Sequence, residues 1–98
     1  MKTLILSKHR PQEQLPYENI IWIEDQQNYC VLHLLKGKPI VMTKTLKNLE
    51  EVLANTTFVR IHKQHFINRT FIASFSDKLV LLNDGTSLCL ARRRKKMI

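Results

Sequence analysis

F-V-R-I-H-K-Q-H-F-I-N, Phe58 to Asn68, decides how this chain is read. It opens with two-residue alternation: Phe58 and Arg60 face one way, Val59 and Ile61 the other, which predicts a strand. Four polar residues follow, His62, Lys63, Gln64 and His65. Phe66-Ile67 then anchor the segment in a core. A polar run held between two apolar ones presents its side chains at a surface on a fixed scaffold. Arg60, His62, Lys63 and Gln64 are mainly hydrogen-bond donors, and no carboxylate stands among them. Donors without carboxylates suit an anion, most simply a phosphate backbone or a base edge.

Upstream of that stretch the pattern predicts one helix, Thr45 to Leu53. Thr45 is its N-cap, and Leu46, Leu49, Val52 and Leu53 form one apolar face, with Glu50 and Glu51 outside it. Asn55-Thr56-Thr57 ends the helix. Before it come four expected strands. The first is Thr3 to Ser7, followed by a loop over Lys8 to Pro16. Glu18 to Glu24 is β-branched and aromatic. Asp25 to Asn28 is a turn, and Tyr29 to Leu35 alternates so that Cys30, Leu32 and Leu34 face inward. Lys36-Gly37-Lys38 turns the chain into Ile40 to Thr43, with Pro39 at the strand start. Downstream, Asn68 closes a turn, and Phe71 to Phe75 and Lys78 to Leu82 are strands. Asn83-Asp84-Gly85 is a tight-turn signal, and Thr86 to Leu90 completes a hairpin. The sum is a mainly β domain of short strands, hairpin turns and one short helix.

The 98 residues suffice for one domain, and 44% hydrophobic content with few Gly and Pro argues for a folded chain. Sixteen Lys and Arg against eight Asp and Glu give a formal charge of +8, so the expected partner is acidic. Arg92-Arg93-Arg94-Lys95-Lys96 concentrates five of those charges near one end, either as a solvated tail or as phosphate contacts. Cys30 and Cys89 are too few for a disulfide scaffold and read as two buried thiols in a reducing compartment. There is no signal-peptide pattern and no apolar run of bilayer length, so the reading is cytoplasmic and without a membrane partner.

Taken together these residues resemble the LytTR DNA-binding domain of bacterial response regulators. The resemblance rests on five parts in order: I-I-W-I-E-D-Q-Q-N-Y at Ile20 to Tyr29, T-L-K-N-L-E at Thr45 to Glu50, F-V-R-I-H-K with I-N at Phe58 to Asn68, D-G at Asp84-Gly85, and the basic A-R-R-R-K-K end. It covers nearly the whole chain, read as one domain over residues 1–98 with no receiver domain. It implies an elongated β-sheet sandwich of antiparallel strands that reads double-stranded DNA from loops in the major groove. Promoter direct repeats are the implied target. A second copy on DNA and RNA polymerase are the further partners such a regulator meets. By resemblance the base-reading positions are Asn28, Lys63 and Arg93. Lys or Arg can donate to guanine O6 and N7, and Asn can pair with adenine N6 and N7. Phosphate contact or loop shaping falls to Lys44, Lys47, Arg60, His62, Gln64, Arg92, Arg94, Lys95 and Lys96. Gln64 and His65 stand where the family often has Ser and an aromatic, and Ala91 where it often has Ser.

Other readings compete with this one. Asn28 is also an ordinary turn-former, Arg60 could pair with an internal carboxylate, and His62 could hold its loop by hydrogen bonds. Lys44 and Lys47 could be a solvated face. Trp22 and Tyr29 could stack single-stranded bases, though Trp22 also fits a core. His62 and His65 lack the Cys or carboxylate partners of a metal site, so no metal, cofactor or catalytic residue is expected. A protein–protein module that modulates a transcription regulator without reading DNA is the alternative function, and an RNA-binding or nuclease role ranks below it.

Overall fold

The computed structural model describes residues 3–5 and 14–97. Strand β1 (Thr3–Ile5) pairs antiparallel with β2 (Gln14–Pro16), Leu4 lying opposite Leu15. The expected loop over Lys8 to Pro16 thus ends in a strand, while its first part, like Leu6 and Ser7, lies outside the described residues. Three residues ending in Pro carry no alternation to read. Only the partner strand makes them a strand. A 3-10 turn at Tyr17–Asn19 then delays the next strand, β3, which runs Ile20–Asp25 rather than from Glu18.

The remaining elements are β4 (Cys30–Leu34), β5 (Ile40–Met42), α1 (Leu46–Val52), β6 (Phe58–His62), β7 (His65–Asn68), β8 (Ile72–Phe75), β9 (Leu79–Leu82) and β10 (Ser87–Cys89). A 3-10 turn at Arg69–Phe71 joins β7 to β8, and a longer one spans Arg92–Met97. The central sheet has strand order β5-β4-β3-β7-β6, and a smaller sheet has order β10-β9-β8. Every recorded strand pairing is antiparallel. The body measures 41 × 24 × 23 Å, an elongated β-sheet domain with one short helix.

Each face of the central sheet carries its own core. On one face Ile20, Ile23, Leu32 and Phe66 pack with Leu46, Leu49 and Leu53 of the helix and with Leu4 and Leu15 of the small hairpin. On the other, Ile21, Trp22, Ile61 and Ile67 pack against Val80, Leu82 and Leu88. Strand β3 serves both cores through a register shift between Ile20 and Trp22, which turns two successive residues, Ile21 and Trp22, to the same side. Alternation in β4 is as expected, with Cys30 and Leu32 buried and Leu34 packed against that core. Phe66 and Ile67 split between the two cores, which anchors the segment from both sides.

The helix is capped as its sequence predicts: Thr45 Oγ1 accepts from the Asn48 amide at 3.2 Å. Leu46, Leu49 and Leu53 are buried, but Val52, expected on that face, is 51% exposed. At about 100° per residue Val52 stands roughly 120° around from Leu46, on the rim of the apolar stripe. Cys89 is a second correction. Cys30 is buried, but Cys89 is exposed, because Leu88 and Leu90 take the inward positions and alternation turns Cys89 outward beside Leu79. Asn83-Asp84-Gly85 turns as expected, with Gly85 at φ +92° and the Thr86 amide donating to Asp84 Oδ1 at 2.9 Å.

Asn68 does more than close a turn. Its side chain is buried, donating to the carbonyls of Tyr17 at 3.2 Å and Ile20 at 3.1 Å. Its Oδ1 accepts from Thr57 Oγ1 at 2.9 Å and from the Thr70 amide at 3.2 Å, so it caps the turn that follows while tying β7 to the start of β3.

Candidate nucleic-acid interface

Strand order decides where the donors meet. Glu24 at the end of β3 lies opposite His65 at the start of β7, so the β3–β4 turn and the β6–β7 turn emerge at the same end of the sheet. They are bonded to each other: the Asp25 amide donates to the Gln64 carbonyl at 2.9 Å. The basic end joins them, because the Ala91 amide donates to the Ile61 carbonyl at 2.7 Å. Asn28, Lys63 and Arg93, far apart in sequence, thus sit on three segments linked by backbone hydrogen bonds to one sheet end. All three are exposed.

The polar run of the opening stretch is a tight hairpin. His62 and His65 face each other across the strands, and Lys63 and Gln64 form the exposed turn. Two side chains shape it. The Gln64 amide donates to His62 Nδ1 at 3.2 Å, which requires that nitrogen to be unprotonated. Arg60 donates from Nη2 to the Lys63 carbonyl at 2.6 Å and from Nε to the His62 carbonyl at 3.4 Å. Its Nη1 lies 3.5 Å from Glu50 Oε2 on the helix. The Lys63 ammonium has no bonded partner among the described residues and projects from a turn whose backbone is held.

In the β3–β4 turn the residue in the left-handed region is Gln27, at φ +75°, and its amide donates to Asp25 Oδ1 at 2.9 Å. Asn28 therefore does not carry the strained position. Its amide donates to the Gln26 carbonyl at 3.0 Å, and its side chain makes no hydrogen bond among the described residues. Tyr29 is 40% exposed beside it, whereas Trp22 is buried and cannot serve as a stacking platform.

Beneath the turns lies an aromatic stack. Trp22 stacks on His33 with centroids 4.2 Å apart and meets His65 edge-on at 5.5 Å, and His65 lies 4.9 Å from His62. His33 Nε2 is 3.2 Å from Glu24 Oε1, and His65 Nδ1 is 3.4 Å from the Cys89 carbonyl. His65 thus touches the strand that precedes the basic end. Burial holds its imidazole below the ordinary value, aided by His62, while the Cys89 carbonyl and Glu24 pull the other way. On the helix side of the sheet, burial pushes the Cys30 thiol up to about 11, with Asp25 adding to the rise and Arg60 opposing it. Among the described residues no group of three His, Cys, Asp or Glu could hold a metal ion.

The other sequence-derived positions fall less uniformly. Strand β5 ends at this same end, Met42 lying opposite Cys30, so Lys44 and the exposed Lys47 follow from it. The basic residues form a 3-10 turn over Arg92–Met97, with Arg92 exposed. Arg94 is only partly exposed and lines a cleft of about 300 Å³ with Glu50 and Arg60, and its Nε is buried without a hydrogen-bond partner among the described residues. The side chains of Lys95 and Lys96 lie outside the described residues. Two positions were given no role at the site from the sequence. Lys78 reaches this end only because the Leu90 amide bonds its carbonyl at 2.8 Å, and with Asp77, Leu90 and Arg92 it lines a cleft of about 610 Å³. Glu50, the last residue of T-L-K-N-L-E, was placed only outside the apolar face of the helix. No local pattern ties it to Arg60.

Comparison with known proteins agrees with this fold. The chain matches the family model described as the LytTr DNA-binding domain over residues 12–98. No curated protein matches it significantly. Among solved structures it is similar to one described as the LytTr DNA-binding domain of a methyl-accepting/DNA response regulator from Bacillus cereus. That likeness has a TM-score of 0.78 at 12% identity and covers 99% of this chain and 93% of the other.

Proposed function

The chain belongs to the LytTR family of DNA-binding domains, and from that premise we propose that it is a transcription regulator that reads double-stranded DNA in the major groove from its turns. The observation that carries this reading is the convergence of the β3–β4 turn, the β6–β7 turn and the basic 3-10 turn at one end of the central sheet. On a chain with a formal charge of +8, that end offers exposed donors on a hydrogen-bonded backbone. Lys63 and Arg93 donate to guanine edges, and Asn28 pairs with adenine. Arg92, Lys44 and Lys47 contact phosphates and set the register, with Lys95 and Lys96 extending the same basic track. Gln64, beside Lys63 at the tip of the turn, adds a phosphate or base-edge contact. Paired direct repeats in promoters are the target, and the site of action is cytoplasmic.

Selection of bound duplexes from a random pool at near-physiological salt, followed by titration of the winner against a scrambled duplex, tests this directly. An enriched motif bound at least about a thousandfold more tightly than the control is the expected result. Uniform weak binding that disappears with salt would contradict base reading and favour a protein–protein role.

A further inference from the structure

Resting on that reading of Lys63, we propose that Glu50 on α1 is a positioning residue for DNA recognition, acting through Arg60 on the turn that presents Lys63 and Gln64. Arg60 grips this turn with two nitrogens of its guanidinium and turns the third to the helix. Nη2 and Nε hold the Lys63 and His62 carbonyls, at 2.6 and 3.4 Å, and Nη1 faces Glu50 Oε2 at 3.5 Å. The guanidinium is planar, so a carboxylate drawing on Nη1 bears on the orientation in which Nη2 and Nε meet the two carbonyls. The Arg60 side chain is only 20% exposed. Arg94 lines the same cleft as Glu50 and Arg60, and Glu50 is the one acidic residue in its described lining. Through this residue the helix acts on the turn that presents Lys63 and Gln64.

Charge alone predicts the opposite sign from positioning, which makes the test sharp. Loss of a carboxylate raises the net positive charge and by itself tightens binding to every duplex. Glu50→Ala, Glu50→Gln and Arg60→Lys would be titrated against the selected and the scrambled duplex, with thermal unfolding as a check on folding. Alanine suits this partly exposed helical position, and Glu50→Gln keeps an acceptor for Arg60. Glu50→Ala should lower the ratio of specific to scrambled affinity about tenfold while scrambled binding stays equal or tightens. Arg60→Lys, which keeps the charge but not the fork, should do the same, and Glu50→Gln should fall between Glu50→Ala and the parent chain. In a Lys63→Ala background, Glu50→Ala should cause little further loss of the ratio. Equal tightening on both duplexes, an unchanged ratio, or a full-sized loss in the Lys63→Ala background would each overturn the positioning role. A parent chain that already shows no preference between duplexes would instead overturn the DNA-reading proposal itself.

Discussion

Asn68→Ala is the substitution whose consequence can be worked most fully from the structure. The side chain makes four hydrogen bonds, donating to the Tyr17 and Ile20 carbonyls and accepting from the Thr57 hydroxyl and the Thr70 amide. Thr57 and Thr70 lie at the surface and recover water when the amide is removed. The Ile20 carbonyl does not, because that bond is buried at the start of β3. An unsatisfied buried acceptor costs about 1–3 kcal/mol, and each remaining bond contributes about 0.5–1.5 kcal/mol net. Allowing for rehydration, the loss should be about 2–4 kcal/mol, a large share of the roughly 5–15 kcal/mol that holds such a domain folded. Urea unfolding should show the midpoint falling with an unchanged m-value, and the melting temperature should drop by about 10–25 °C. Asn68→Asp keeps the oxygen that accepts both bonds but turns a carboxylate toward two carbonyls. It should be at least as damaging at neutral pH and partly relieved in acid, where the protonated carboxyl regains a donor. A loss below about 1 kcal/mol for Asn68→Ala would refute the claim that this amide ties β7 to β3.

Three further outcomes are expected. Lys63→Ala and Arg93→Ala should each cost about 1–3 kcal/mol on the selected duplex and relax its discrimination, whereas Arg92→Ala should weaken all duplexes alike and reduce the salt slope by about one. Anisotropy titrations at several salt concentrations check this, and an unchanged ratio for Lys63→Ala would remove its base-reading role. Because the fold holds the His65 imidazole below its ordinary value of 6.5, the unfolded chain binds the proton more readily just below that pH. Its contribution to stability is therefore complete above about pH 6.5 and declines as pH falls beneath it. Comparing urea midpoints of the parent chain and His65→Gln across that range isolates the effect, and identical pH profiles would count against it. Alkylation of the native protein should label Cys89 and spare Cys30, whose buried thiol is pushed up to about 11. Mass spectrometry reads this out, and Cys30 should react only on unfolding.

Local rules reached most of the elements because those elements are locally determined. Alternation places Cys30 and Leu32 inward, the Thr45 hydroxyl caps α1, and Asn83-Asp84-Gly85 supplies its own turn. What escaped them depends on partners distant in sequence. Gln14-Leu15-Pro16 is a strand only because β1 pairs with it. Val52 is exposed because it stands on the rim of the apolar stripe, and Cys89 faces out because Leu88 and Leu90 claim the core. The candidate site divides the same way. Asn28, Lys63 and Arg93 came from motif positions, but their convergence follows from β7 lying beside β3, a pairing across some forty residues of chain. Lys78 carried no motif, and T-L-K-N-L-E, which ends in Glu50, gave Glu50 no role at the site; both became visible only when the helix and β9 were set against that end.

The central claim is that DNA meets one end of the central sheet. Amide shift mapping of the folded domain titrated with its selected duplex tests it most directly. The largest perturbations should fall on residues 26–29, 62–65 and 91–94, with Lys44 and Lys78 at the margin and a weaker, diffuse version of the pattern for a scrambled duplex. Perturbations centred instead on the outer face of the small sheet at Leu79 and Leu81, or on the exposed edge at Val41, would contradict it.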